Sequence, residues 1–249
     1  MTEWQPGRVR APFRRLPPDQ RRAEILDAAL ELFSQRGEEG VSIDEIGAAA
    51  GASRNSVYRC FGSKQELFMA AMARLVAKLT ERQDQAVGGT PSQLLAARLH
   101  LYFDIVEQYG EGYAALIRMA GPQSTDQSRL IIEKLRARGY ANIYDGLGIS
   151  DPSPMVEAAV HAWVATKEWM AVEWVRRRHI PREDVEGLLI FFLGGMLAGA
   201  AARDPSSHDW MLKWVDSESA GSPFGTLLSG AAGNLLSEEL VSRLAGFLG

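Results

Sequence analysis

The sequence predicts an all-α protein, with an N-terminal helix-turn-helix domain of three helices and a larger helical C-terminal domain. Three observations carry this. Apolar residues recur at helical spacing, as in Ile25, Leu26, Ala29, Leu32 and Phe33, which places them on one face of a helix. Helix starts are marked by Ser42 with Glu45 and by Ser63 with Glu66, the spacing at which side chain and backbone cap each other reciprocally. Glycine or proline then punctuates the ends, at Gly37, Gly51 and Pro181.

Taken in order, residues 1–18 set Arg8, Arg10, Arg14 and Arg15 among Pro6, Pro12, Pro17 and Pro18, a mixture that holds no helix. They form a flexible basic arm, either a solvated tail or an arm whose Arg14 and Arg15 reach phosphates or a minor groove. The first helix covers Asp19 to Arg36. Ser42 caps the second, which turns Ile43, Ile46, Ala49 and Ala50 to one side before Gly51 stops it.

Gly51-Ala52-Ser53 is a turn, and Ser53 caps a short third helix whose Val57, Cys60 and Phe61 point inward. Cys60 is therefore read as core packing, with a redox-sensing thiol as the competing reading. Arg54, Asn55, Ser56, Tyr58 and Arg59 are left facing outward. That set of hydrogen-bonding groups suits the base edges and phosphates of a DNA major groove. Ser63 and Glu66 cap a fourth helix running to about Gln83, with Lys64 in its first turn. A lysine at a helix N-terminus is a natural phosphate site. Arg54, Asn55, Ser56 and Tyr58 are thus expected at bases or nearby backbone, and Ser42, Arg59 and Lys64 at phosphates, with Ser53 also among the DNA-binding residues.

The stretch SIDEIGAAAGASRNSVYRCFGSKQEL, residues 42–67, resembles the DNA-binding domain of TetR-family transcriptional regulators. The family usually has glycine where Asn55 stands and histidine where Cys60 stands, so base preference does not carry over. The resemblance implies a homodimer on a palindromic double-stranded DNA operator, released when a mostly apolar small-molecule effector binds the C-terminal domain. It thus implies a repressor.

Val87-Gly88-Gly89-Thr90-Pro91 breaks the pattern and marks the expected domain junction. The domains are read as 19–86 for DNA binding with a connecting helix, 87–203 for effector binding and dimerisation, and 204–249 as an extension of unassigned role. Thr90 caps a helix with Pro91 at its first position. A short segment from Tyr113 to Met119 leads to a helix that starts near Ser124 and ends near Gly139 or Gly146. Ser153 and Pro154 open a long helix to about His179, and another runs from Arg182 to about Arg203, an antiparallel hairpin.

The resemblance implies an effector pocket between helices of this domain. Its candidates are the aromatic and apolar Tyr102, Phe103, Tyr113, Met119 and Met170, with the polar Asn142, His161, Thr166 and Lys167. It also implies dimerisation through the terminal helix pair, with Trp163, Phe191, Phe192, Gly195, Met196 and Gly199 as candidates. Gly195 and Gly199 permit close helix approach. Composition alone ranks a helix buried within one chain equally.

The chain has 249 residues and a net charge of −4, but residues 1–64 hold 10 Lys/Arg against 9 Asp/Glu. Local basic groups, rather than total charge, must hold DNA. A single cysteine excludes an intramolecular disulfide and fits a reducing cytoplasm. The longest uncharged apolar run, Leu188 to Ala202, has 15 residues, short of the roughly 20 a membrane span needs. No nucleotide loop, catalytic motif or metal-ligand spacing is visible, and His161 reads as a core or pocket residue rather than a ligand. No cofactor, no catalysis and no membrane partner are expected. The competing readings are a helical small-molecule binding or sequestering protein that does not use DNA, and an enzyme built on the helical domain.

Overall fold

The structure, a computed structural model, describes residues 17–121 and 124–235. Among the described residues every regular element is helical, and the chain divides into two compact units, Met1–Arg74 and Leu75–Gly249. The division falls inside the fourth helix rather than at the Val87 break.

The first unit holds α1 (Pro18–Arg36), α2 (Ile43–Ala49), α3 (Arg54–Phe61) and the start of α4 (Lys64–Gln83). Its core is made by Ile25, Leu30 and Phe33 of α1, Ile43 and Ile46 of α2, Val57 and Phe61 of α3, and Leu67, Phe68 and Met72 of α4. Phe33 and Phe68 meet edge to face with ring centroids 5.3 Å apart. Truncating a fully buried phenylalanine of this kind costs about 3–5 kcal/mol.

Two expectations in this unit are corrected. Ala49 is exposed, because the buried face of so short a helix is Ile43, Ile46 and Gly47. Cys60 is half-buried rather than in the core, since Val57 and Phe61 set the inward axis of α3 and Cys60 falls to one side.

In the second unit, α5 (Pro91–Gln108) packs against α6 (Gly110–Arg118), α7 (Asp126–Leu147), α8 (Pro154–Arg177) and α9 (Arg182–Ala201). Thr90 and Gln93 form a full capping box at the start of α5. α7 begins at the Thr125 cap and runs through both Gly139 and Gly146 to end at Gly148, which has φ of 67°. The expected ends at Gly139 and Gly146 are therefore corrected. Those glycines serve closeness instead: a Cβ at Gly146 would lie 3.4 Å from an Arg98 nitrogen.

α8 and α9 form the most extensive helix pair. Trp163 Nε1 donates to the Leu189 carbonyl at 2.7 Å and Trp174 Nε1 to Ile180 at 3.0 Å, so the two run antiparallel. α9 is the one helix among the described residues long and apolar enough to cross a membrane. Within the unit it packs on α5, α8, α10 (His208–Ser217) and α11 (Pro223–Leu235).

The described part of the extension, residues 204–235, is built into the unit. Trp214 stacks on Phe224 at 4.6 Å, and Phe224 fills the space a side chain at Gly194 would occupy. The amphipathic stretch Ser237 to Leu248 lies outside the described residues.

Candidate functional site

The recognition surface begins with α2. Ser42 and Glu45 cap it reciprocally, with Glu45 N–H donating to Ser42 Oγ at 3.2 Å and Ser42 N–H to the Glu45 carboxylate at 2.8 Å. The Ser42 N–H, helped by Arg36 and the Ser42 hydroxyl, draws the Glu45 carboxyl down to about 2. A lowered carboxylate stabilises the fold above its ordinary range, and that contribution is lost as pH falls through about 2.

The turn to α3 needs two glycines. Gly51 has φ of 59°, a left-handed conformation that disfavours side chains. Gly47 faces the turn so closely that a Cβ would lie 2.7 Å from the Ala52 carbonyl oxygen. Ala52 N–H in turn donates to the Gly47 carbonyl at 2.7 Å.

α3 then presents its outer face. Arg54, Asn55, Tyr58 and Arg59 are exposed, and Ser56 is half-buried. Ser53 Oγ accepts from the Ser56 N–H at 3.2 Å, so its hydroxyl is occupied in the cap. Arg54 is not waiting free: it pairs with Asp44 of α2 at 2.6 Å and lies over Tyr58 with 5.4 Å to the ring centroid. Both partners are exposed, and such surface pairs are weak and screened by salt, so a DNA phosphate or base edge can displace Asp44.

Lys64 opens α4 half-buried, near enough to Glu38 that its charge opposes the upward shift which burial imposes on that carboxyl. The second capping box is only half built. Glu66 N–H donates to Ser63 Oγ at 3.1 Å, but the Ser63 N–H is taken by the Phe61 carbonyl at 2.7 Å.

Sequence reasoning missed two arginines of α1. Arg21 donates to the Ala50 and Gly51 carbonyls at 3.3 and 3.2 Å, and Arg22 to the Cys60 carbonyl at 2.5 Å while covering the Phe61 ring at 4.0 Å. They fasten both ends of the helix-turn-helix to α1, and a cation at the C-terminal end of α3 also suits the helix dipole. Their long sequence separation from those carbonyls left no local signal. Arg14 and Arg15 lie outside the described residues.

In the second unit the expected effector residues divide. Tyr102, Phe103 and Tyr113 are fully buried core, with the two tyrosine hydroxyls hydrogen-bonded to each other. His161 is exposed and packs on Tyr140 at 4.0 Å, Met119, Thr166 and Met170 are half-buried, and none of these seven lines either of two clefts. Asn142 and Lys167 do. A cleft is walled by Leu95, Leu99, Ile143 and Trp163, with Arg98, Asn142, Lys167 and Gln83 as its polar members. A second shares Leu95, Arg98, Asn142 and Ile143 and reaches Trp214.

The dimer candidates divide as well. Trp163 is corrected to the core, where its indole is hydrogen-bonded to Leu189. Phe191, Gly195 and Gly199 are exposed on α9, and Phe192 and Met196 are half-buried. The exposed stripe of α9 runs Leu188, Phe191, Gly195 and Ala198 and continues to Ala202 just past its end, and α8 carries a matching one through Met155, Ala158, Ala162, Ala165 and Trp169. Both repeat at alternating three- and four-residue intervals, the seam spacing of bundled helices.

Comparison with known proteins agrees with this geometry. The family model for bacterial regulatory proteins of the tetR family matches residues 25–71, and that for the tetracyclin repressor-like C-terminal domain matches 91–195. The HTH-type transcriptional activator FasR of Mycolicibacterium smegmatis is 36% identical over 124 residues, covering 48% of this chain and 57% of the relative. The HTH-type transcriptional regulator BetI of Brucella canis is 30% identical over 147 residues, 51% of this chain and 74% of that protein. The crystal structure of a tetR-family transcriptional regulator from Streptomyces coelicolor superposes with a TM-score of 0.82 at 30% identity, covering 88% of this chain and 99% of that one.

Proposed function

The chain belongs to the TetR family of bacterial regulatory proteins, and from that premise we propose that it is a cytoplasmic, homodimeric, sequence-specific DNA-binding transcriptional regulator that responds to a small molecule. The observation that carries this is the face of α3. Two buried residues, Val57 and Phe61, hold it in place, while Arg54, Asn55, Tyr58 and Arg59 stand out into solvent.

Arg54, Asn55, Ser56 and Tyr58 would read base edges, and Arg59, Lys64 and the N-terminus of α2 at Ser42 would hold phosphates. One such face specifies few bases. The exposed stripes of α8 and α9 would pack on a second copy, giving two readers at fixed separation. An effector that binds more tightly to a conformation mismatched to the operator would shift the population away from DNA. That reading makes the protein a repressor. A relative named as an activator supports a second reading, in which the bound dimer recruits rather than blocks transcription.

The test is affinity for a selected duplex measured against salt concentration. Lys64→Ala is expected to weaken binding to all sequences and to flatten the salt dependence by about one ion. Arg54→Ala is expected to lower specific affinity by roughly tenfold to a hundredfold and to relax preference at one position. Unchanged affinity and slope in both variants would sink the assigned roles.

A further inference from the structure

The effector cleft is lined by two cations, Lys167 and Arg98, and by no carboxylate among the described residues. Lys167 of α8 is 6% exposed and lines the cleft. Among the described residues its ammonium makes no hydrogen bond or ion pair, and its contact is the face of the Tyr102 ring at 4.2 Å. Two nearby carboxylates bond to other arginines: Glu168 takes three hydrogen bonds from Arg136, at 2.6–3.2 Å, and Asp84 pairs with Arg138, while Asp145 acts on Arg98 through its charge without a salt bridge among the described residues. Arg98 lines both clefts, donates to the Asn142 carbonyl, and keeps its Nε buried without a partner among the described residues.

A buried ammonium without a hydrogen-bonding partner destabilises a fold. A neutral ligand would leave it unpaired and a cationic one would be repelled. No Asp or Glu lines the cleft, and its remaining wall is Leu95, Leu99, Ile143 and Trp163. We propose that the effector is a small organic carboxylate, whose oxygens bond to Lys167 Nζ and Arg98 and whose apolar body lies along Leu95, Leu99, Ile143 and Trp163. The identification rests on reading this unit as an effector domain, and it does not depend on DNA binding.

Ionisation of Lys167 supports the geometry. Burial draws it down to about 8, with Glu168 opposing and Arg136 adding to the fall. A bound carboxylate holds the proton on, so affinity is full below that value and declines as pH rises through it. Tyr102 and Tyr113, the other titratable groups against Lys167 and Glu168, are raised far above this range by burial and stay neutral.

Calorimetric titration of the full chain with octanoate, benzoate and their methyl esters tests this without DNA. The acids are expected to bind about tenfold or more tightly than their esters. Lys167→Met, which removes a buried charge that makes no hydrogen bond among the described residues, is expected to cut that preference by about tenfold, Arg98 retaining the remainder, and to remove the decline in affinity near pH 8. Esters binding as tightly as their acids, or a Lys167→Met protein that keeps the whole preference, would overturn the proposal. A chain that binds the acids but no duplex overturns the regulatory reading alone; one that binds duplex but favours esters overturns the carboxylate site alone.

Discussion

A methyl group at position 47 would sit 2.7 Å from the Ala52 carbonyl oxygen, a backbone atom that cannot swing aside. Gly47→Ala gains about 1 kcal/mol of helix propensity, yet the clash forces α2 away from the turn that orients α3. A net loss of about 1–3 kcal/mol is expected, measured by urea unfolding, with a larger proportional loss of DNA affinity because the reader is displaced. Equal or greater stability would show that the turn gives way freely. The glycine was visible in the sequence; its reason was not, because the approach is made by an oxygen outside the helix. The same holds for Arg54, whose outward position followed from helical spacing while its pairing with Asp44 did not. Aromatic content misled in the opposite direction. Tyr102, Phe103 and Tyr113 have the chemistry of a pocket but close on one another as core, and aromatic burial and aromatic pocket walls leave the same trace in a sequence.

At the scale of elements, the helices with local signals were legible. Ser42 and Glu45, Thr90, Ser153 with Pro154, and the α8–α9 turn all stand where side chains and backbone of adjacent residues decide the outcome. The end of α7 was not, because packing against Arg98 and Val164 keeps Gly139 and Gly146 helical. Nor was the attachment of the C-terminal extension, where packing of Phe224 on Gly194 is joined by a carboxylate far along the chain. Glu218 accepts from the Ser92 N–H at 2.8 Å, the Ser92 hydroxyl at 2.6 Å and the Trp214 indole at 3.0 Å. Burial pushes Glu218 up, but the hydrogen bonds led by Ser92 outweigh it and leave the carboxyl below its ordinary value. Its stabilising effect is therefore present above the ordinary carboxylate range and lost as pH falls. Glu218→Gln is expected to destabilise the chain by about 1 kcal/mol at neutral pH, after discounting for partial exposure. That difference should shrink in acid, as thermal unfolding across pH would show; a constant difference would mean that shape rather than charge holds the strap.

For the whole molecule, the sequence made the two-part helical organisation plain but put the junction at Val87, where composition changes, instead of within α4, where packing changes. It also marked one exposed apolar stripe better than the other. The Gly195 and Phe191 pattern was noticed on α9, whereas the small-residue stripe of α8 from Met155 to Trp169 reads as ordinary alanine-rich helix until its exposure is known. If those stripes hold two copies together, Phe191→Glu will yield a folded monomer by sedimentation, with operator affinity reduced by about a hundredfold or more through loss of the second reader. A variant that stays dimeric would place the seam elsewhere. Selection of the wild-type protein on random duplex DNA at moderate salt is the most direct test of a dimeric reader. Enrichment of a palindrome with half-sites about one helical turn or a multiple apart is expected, and recovery of no enriched sequence from a protein that remains folded and dimeric would contradict it.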